Sequence, residues 1–269
     1  GLRLVDVSNP SAPTEVGSCD TPGWAYGVEM DGTTAYVANG SDGLRLIDVS
    51  NPSAPTEVGS RDTPGWAYGV AVDASTAYVA DGSYGLRAID VGNQEGPVAL
   101  GGYETPGSAE RLSVSGSTAY LADVSGGLRV VDIGNPSAPL EIGAYDMPSD
   151  AQSVMLADGI AYVADGAEGL RTVDVTTPSA PMGIGFRSMH GMAYDVAVAG
   201  STAYVADGTG GLRLVDVSDP AAPAEVGHYD EPRSATGVAV DGSTAYVADG
   251  SGGLRLVDVS NPSAPTEVG

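Results

Sequence analysis

The chain repeats itself every 42 residues. The tripeptide Gly-Leu-Arg begins at Gly1, Gly43, Gly85, Gly127, Gly169, Gly211 and Gly253, with no insertion or deletion between copies. The last 17 residues, Gly253 to Gly269, duplicate the first 17 letter for letter. A unit of this size cannot bury its own apolar face and must stack on its neighbours, and a period of about 40–45 residues points to propellers or solenoids. No linker interrupts the units, so residues 1–269 read as one domain: a partial repeat over 1–17 and six full units over 18–269.

Within a unit the pattern is that of short strands. In the sixth, Thr236–Asp241 (TGVAVD) ends at Gly242-Ser243, Thr244–Asp249 (TAYVAD) ends at GSGG, Leu254–Val259 (LRLVDV) ends at SNPSAP, and Thr266–Gly269 (TEVG) follows. Each run is rich in Val, Tyr and Thr and is bounded by Gly, Pro, Asn or Asp, which predicts four antiparallel strands, A to D, joined as a meander. In LRLVDV both parities carry aliphatics, as in a sheet covered on both faces. Four-stranded meanders at this period are propeller blades.

The C-strand motif appears as LRLVD, LRLID, LRAID, LRVVD and LRTVD, and on it the chain resembles the LVIVD-repeat β-propellers; its YVADG segment is similar to the YVTN and NHL propeller classes. The resemblance implies a propeller fold, an extracellular or cell-surface setting, frequent placement within larger proteins, and no agreed enzymatic activity.

Strand counting gives six A and six B strands but seven C and seven D. An open blade face of about 16 by 19 Å leaves roughly 300 Å² uncovered. Each such face forfeits at least ~7 kcal/mol, comparable to a domain's stability when two are open. The expectation is therefore a six-bladed ring with a spare N-terminal two-strand hairpin; the alternative is an incomplete seven-bladed ring whose last A and B strands lie beyond Gly269. A chain that starts at Gly and stops mid-repeat is expected to be a piece of a longer protein, a monomeric module within it.

The net charge is −24 and all eleven basic residues are Arg. Such a field repels phosphate backbones and anionic lipid, which disfavours nucleic-acid and membrane-surface partners. No apolar run is long enough for membrane insertion. Cys19 is the only cysteine, so there is no internal disulfide, and it reads as a tolerated substitution.

Each C strand carries an Arg and, three residues later, an Asp: Arg45 with Asp48, Arg87 with Asp90, Arg129 with Asp132, Arg171 with Asp174 and Arg213 with Asp216. The odd spacing puts them on opposite strand faces. They are expected either to pair between stacked blades or to have the Asp bond turn backbone, a structural role in both cases.

The D–A and B–C connections of a meander propeller share one face. The C–D turn hardly varies between units, whereas the D–A connection reads DTPGWAYG twice, then ETPGSAER, DMPSDAQS, SMHGMAYD and DEPRSATG. The variable face is the candidate binding face, since rigid scaffolds present binding residues on loops. Its candidates are Trp24, Tyr26, Trp66, Tyr68, Tyr84, Glu110, Arg111, Asp150, His190, Tyr194, Asp195 and Arg233. The paired tryptophans, with Tyr26, Tyr68 and Tyr84, suit a sugar ring or a partner's side chain; the competing reading is a packing residue duplicated with its unit. Strand A should line a central channel, and Glu110, Gln152 and Asp195 are the oxygen donors a Ca²⁺ site would use, although Arg111 opposes a cation. No cofactor is expected otherwise. His190 lacks a nucleophile at a recognisable motif, and His228 reads as a half-exposed filler.

Three functions follow as expectations. The first is a non-catalytic secreted or surface scaffold binding a protein or glycan through the D–A/B–C face. The alternatives are a metal-dependent, lactonase-like hydrolase at the channel mouth and a rigid spacer in a repeat array.

Overall fold

In the computed structural model, which describes residues 1–230 and 234–269, the repeat becomes one two-stranded hairpin and six four-stranded antiparallel sheets. The hairpin is β1 (Leu2–Asp6) with β2 (Thr14–Cys19). The chain divides into two compact units, Gly1–Ser8 with Pro13–Ile142 and Asn9–Ala12 with Gly143–Gly269. Blade one of the first unit comprises β3 (Gly27–Asp31), β4 (Thr34–Ala38), β5 (Leu44–Asp48) and β6 (Thr56–Arg61). Blade two follows as β7 (Gly69–Asp73), β8 (Thr76–Ala80), β9 (Leu86–Asp90) and β10 (Val98–Tyr103). Blade three has β11 (Arg111–Ser115), β12 (Thr118–Ala122), β13 (Leu128–Asp132) and β14 (Leu140–Tyr145), the last carrying the chain out of this unit.

The second unit holds three blades. They are β15 (Ser153–Ala157) to β18 (Met182–Arg187), with β16 (Ile160–Ala164) and β17 (Leu170–Asp174) between; β19 (Asp195–Ala199) to β22 (Ala224–Tyr229), with β20 (Thr202–Ala206) and β21 (Leu212–Asp216) between; and β23 (Gly237–Asp241) to β26 (Thr266–Glu267), with β24 (Thr244–Ala248) and β25 (Leu254–Asp258) between. Every sheet runs in meander order. The strand limits fall within two residues of the sequence reading in the sixth unit.

Strand B is buried on both faces because strands A and C flank it and apolar residues cover it on either side; in blade one all five residues of TAYVA are buried. The core lies between blades rather than within one. In the first unit Tyr36, Ala38, Leu44 and Leu46 of blade one meet Val70, Ala77, Val79, Ile89 and Val91 of blade two. Tyr78, Ala80, Leu86 and Ala88 of blade two meet Leu112, Ala119, Leu121, Val131 and Ile133 of blade three in the same way. In the second unit Tyr162, Ala164 and Leu170 face Val196, Ala203, Val205, Val215 and Val217.

The invariant glycine of strand D has a reason in this stacking. A bulge shifts the β5–β6 register between Leu46 and Ile47 and turns Gly59 toward the next blade, where a methyl group would drive into the carbonyl oxygen of Gln94 in its C–D turn. Gly17 meets Pro52, and Gly227 meets Pro262, in the same manner. The near-constant C–D turn is thus an inter-blade contact, which explains why it does not vary.

The expected charge pairing between the Arg of one blade and the C-strand Asp of a stacked blade is not the contact observed. Asp48, Asp90, Asp132, Asp174 and Asp216 each accept the backbone N–H two residues later, at 2.8–2.9 Å, closing the turn after strand C. The arginines turn the other way, toward acids of their own blade: Arg45 to Glu57 and Asp62, Arg87 to Asp81, Arg129 to Asp123 and Glu141, Arg171 to Asp165, and Arg213 to Asp207, Glu225 and Asp230. The turn-backbone alternative is the one observed.

Candidate functional site

The loop face is anchored by an aspartate that sequence spacing did not single out. Strand B runs into YVAD, with YVAN in the first unit and YLAD in the third, and the last residue of this motif (Asn39, Asp81, Asp123, Asp165, Asp207 or Asp249) is buried at the start of the B–C turn. Asp123 accepts the Thr105 hydroxyl at 2.5 Å and the Gly107 N–H at 2.8 Å, with Arg129 Nε at 3.9 Å. Asp81 repeats this with Thr63, Gly65 and Arg87. Asp165 receives Arg171 Nε at 2.9 Å, and Asp207 receives the N–H groups of His190 and Gly191. Burial raises the pKa of Asp81, Asp123, Asp165 and Asp207, and these hydrogen bonds and arginines pull against it. Each hub ties the root of a D–A connection to a B–C turn. The backbone ties are continued by reciprocal N–H to O=C pairs, Gly40 with Ala67 and Gly82 with Ala109, at 3.0 Å.

On that rigid floor the first two blades carry an aromatic group. The Tyr26 and Tyr68 rings meet edge to face with centroids 4.9 Å apart, and Trp66 lies 6.3 Å from Tyr26 and 6.4 Å from Tyr68. Tyr26 leans on Gly40, which leaves room for its ring. Trp24 is 75 % exposed and Trp66 48 %, so the indoles present apolar surface to solvent that neither core nor neighbour covers. Tyr84 does not join them. Its ring lies over the Arg87 guanidinium, 5.4 Å away, and among the described residues it makes no ring contact with the trio.

The expected channel mouth is put to structural use. Positions 27, 69 and 111 are equivalent, and a side chain on Gly27 or Gly69 would collide with the carbonyl of Tyr68 or Glu110 in the next blade. Arg111, at the third such position, donates to Tyr68 O at 2.5 Å, Tyr26 O at 3.0 Å and Glu110 O at 3.3 Å, so its guanidinium ties three inner strands. In the second unit the equivalent Asp195 accepts the Ser153 hydroxyl at 2.6 Å and the Val238 N–H at 3.0 Å. Glu110 lies in the first unit, and Gln152 and Asp195 in the second. Gln152 is half-buried with its N–H on Ala164 O. Among the described residues no three His, Cys, Asp or Glu side chains gather in a metal-holding group.

The remaining candidates are scattered. Asp150 and His190 are exposed, and Tyr194 rests on Gly208 with its hydroxyl 3.8 Å from Met192 Sδ. Arg233 lies outside the described residues. His228 is exposed on strand D beside Glu225 and Asp230, and Cys19 is a free thiol packed against blade one. No helix is long and apolar enough to cross a membrane among the described residues.

An LVIVD repeat model matches seven segments, residues 1–21, 22–63, 64–105, 106–147, 148–185, 190–231 and 232–269. The chain therefore belongs to the LVIVD repeat family, and it is a six-bladed β-propeller with an additional N-terminal two-stranded hairpin. Solved structures share the fold. A functionally unknown protein from Desulfotomaculum acetoxidans is 13% identical with a TM-score of 0.78, over 95% of this chain and 87% of that one. The Cps50 (Swd1) β-propeller domain from Myceliophteria thermophila is 11% identical with a TM-score of 0.74, over 94% and 87%. The computationally designed Ika8 protein is 10% identical with a TM-score of 0.66, over 87% and 71%. A comparison with curated proteins gives no match.

Proposed function

We propose that this propeller is a non-catalytic binding scaffold of an extracellular or cell-surface protein, and that it engages a protein or glycan through the D–A/B–C face of its first two blades. The observation that carries the reading is the exposed Trp66 indole packed on the edge-to-face Tyr26–Tyr68 pair, with a second exposed indole, Trp24, two residues before Tyr26 on the equivalent connection of blade one. Aromatic faces held rigid and solvent-exposed lose little conformational entropy on binding and offer stacking surface to sugar rings or apolar side chains. The roots of the two connections are fixed by buried Asn39, which accepts the Thr21 hydroxyl, and buried Asp81, which accepts Thr63 and Gly65, so the patch is preorganised.

The hydrolase alternative has less support, because Asp195 is engaged on each carboxylate oxygen, by Ser153 and by Val238, and no group of three His, Cys, Asp or Glu side chains gathers beside it among the described residues. Trp24 and Trp66 are the chain's only tryptophans, so intrinsic fluorescence reports directly on the proposed surface. Titration with soluble oligosaccharides and with displayed peptides should shift or quench that emission. Trp24→Ala with Trp66→Ala should lose the ligand while keeping the thermal midpoint; retained affinity would defeat the reading.

A further inference from the structure

The N-terminal hairpin is the outer half of a blade, and the inner half of that blade has a site waiting for it. Among the described residues β1 pairs with β2 alone, whereas each of the corresponding C strands, β5, β9, β13, β17, β21 and β25, also pairs with a strand B. The hairpin packs on blade one through Leu2 and Cys19, which cover Ala35, Val37 and Ile47. It does not cover strand A of blade one. Val28 is 54% exposed and Met30 51%, while Val70, the blade-two equivalent of Val28, is 8% exposed because blade one lies over it. In blade one the covering side chains of strand B are Tyr36 and Ala38.

Two polar and steric features agree. Arg3 is 58% exposed and meets Glu15 and Asp20, whereas Arg45 at the same position of a complete blade is 11% exposed. The buried acid that strand B brings to Arg87, Arg129, Arg171 and Arg213 has no counterpart at Arg3 among the described residues. The cleft beside the hairpin, lined by Leu4, Val5, Asp6, Val16, Asn51 and Pro52, holds about 610 Å³. The equivalent cleft of blade five holds about 350 Å³ and has Ser201 and Thr202, at the start of strand B, in its wall.

We propose that the edge of β1 and the bare face of β3 dock a two-stranded hairpin with the inner-strand pattern of this same repeat, GVAVD-turn-TAYVAD, supplied by a further LVIVD repeat. The register is fixed by the complete blades: Thr, Ala, Tyr, Val and Ala of the incoming strand face Asp6, Val5, Leu4, Arg3 and Leu2, as Thr34, Ala35, Tyr36, Val37 and Ala38 face Asp48, Ile47, Leu46, Arg45 and Leu44. The incoming Tyr covers Val28 and Met30, and the terminal Asp reaches Arg3. Strand addition supplies the main-chain bonds, and the alternating side chains supply the specificity.

The test uses the whole chain and a labelled synthetic peptide with the sequence of Tyr68–Asp81. The peptide should bind saturably and slow hydrogen exchange at the Leu2–Asp6 amides, and a peptide of the same composition with the alternation scrambled should not. Val28→Asp with Met30→Asp, both at exposed positions that leave the fold intact, should weaken binding at least ~tenfold. Absence of peptide binding, or binding unaffected by the double variant, overturns the proposal. Self-association of the free protein that Val28→Asp abolishes also overturns it, because the occupant would then be a second copy.

Discussion

Replacing Asp123 by Ala tests the claim that buried aspartates hold the loop face together. The carboxylate accepts hydrogen bonds from Thr105 and from the Gly107 N–H, at 2.5 and 2.8 Å, with Arg129 Nε at 3.9 Å. Thr105 and Asp123 are buried, so water does not readily replace the carboxylate for Thr105 and Gly107, whereas Arg129 keeps Glu141 at 3.9 Å. A hydrogen bond to a charged group contributes about 1.5–3 kcal/mol, and breaking a buried pair by removing one partner costs about 3–5 kcal/mol. Relief of the carboxylate's own desolvation, which raises its pKa, offsets part of this, leaving an expected loss of about 3 kcal/mol. For a chain of this size that lowers the thermal midpoint by roughly 6–12 °C. Asp123→Asn should cost only about 1 kcal/mol, because Asn39 fills the same position in blade one and still accepts the Thr21 hydroxyl at 2.5 Å. Urea denaturation of the three proteins at neutral pH is the assay. An Ala variant within ~0.5 kcal/mol of the parent would refute the reasoning, since ordinary surface substitutions fall in that range.

Other consequences can be checked alongside. Gly59→Ala should destabilise by about 2–3 kcal/mol by overpacking against Gln94, whereas an Ala variant as stable as the parent would mean the blades slide freely. Ala74 sits at φ 51° in a hairpin turn where the equivalent residues Gly32, Gly116, Gly200 and Gly242 are glycine, so Ala74→Gly should raise stability by about 1 kcal/mol in chemical denaturation; a loss would contradict this. Because burial raises the Asp123 pKa, the titration-linked part of its contribution is fully present below the unfolded carboxylate value and is lost as pH rises through the folded one, while the Thr105 and Gly107 hydrogen bonds remain at neutral pH. The parent should therefore gain on Asp123→Asn as pH falls. Asp216 has the opposite sign: the Ser218 N–H lowers its pKa, and its contribution is lost as pH falls through that lowered value, so Asp216→Asn should flatten the acid limb of the stability profile. Millimolar Ca²⁺ should leave the thermal midpoint where Na⁺ at matched ionic strength leaves it; a calcium-specific rise removed by Asp195→Asn would restore a cation site.

The blade was legible in the sequence because its signal is local. Period-two strands, Gly- and Pro-bounded turns and a constant spacing fix four strands per unit without reference to anything distant, and the leftover C–D hairpin follows from counting. The polar partners were not legible, because they depend on which way a side chain leaves its strand. Spacing puts Arg129 and Asp132 on opposite faces and points each to a stacked blade or a turn; Asp132 accepts the Gly134 N–H, while the guanidinium turns back to Asp123 across the B–C turn of its own blade. The recurring acid that closes YVAD or YLAD, six residues before Arg87, Arg129, Arg171, Arg213 and Arg255, is the available signal. At the mouth, Arg111 reads from sequence as a binding-face residue that opposes a cation and Asp195 as an oxygen donor, since sequence cannot show that the neighbouring inner strands offer them carbonyls, a hydroxyl and an N–H. The tryptophans stood out because they are rare and equivalent, and the structure leaves both indoles exposed.

The most direct test of the binding-scaffold account is a side-by-side screen of the parent and the Trp24→Ala, Trp66→Ala double variant on a glycan array and a displayed-peptide library, with thermal midpoints measured in parallel. The account predicts that ligands recovered with the parent drop out with the variant while the midpoints agree within a few degrees. The same ligands recovered by both proteins, or none recovered by the parent, would contradict it.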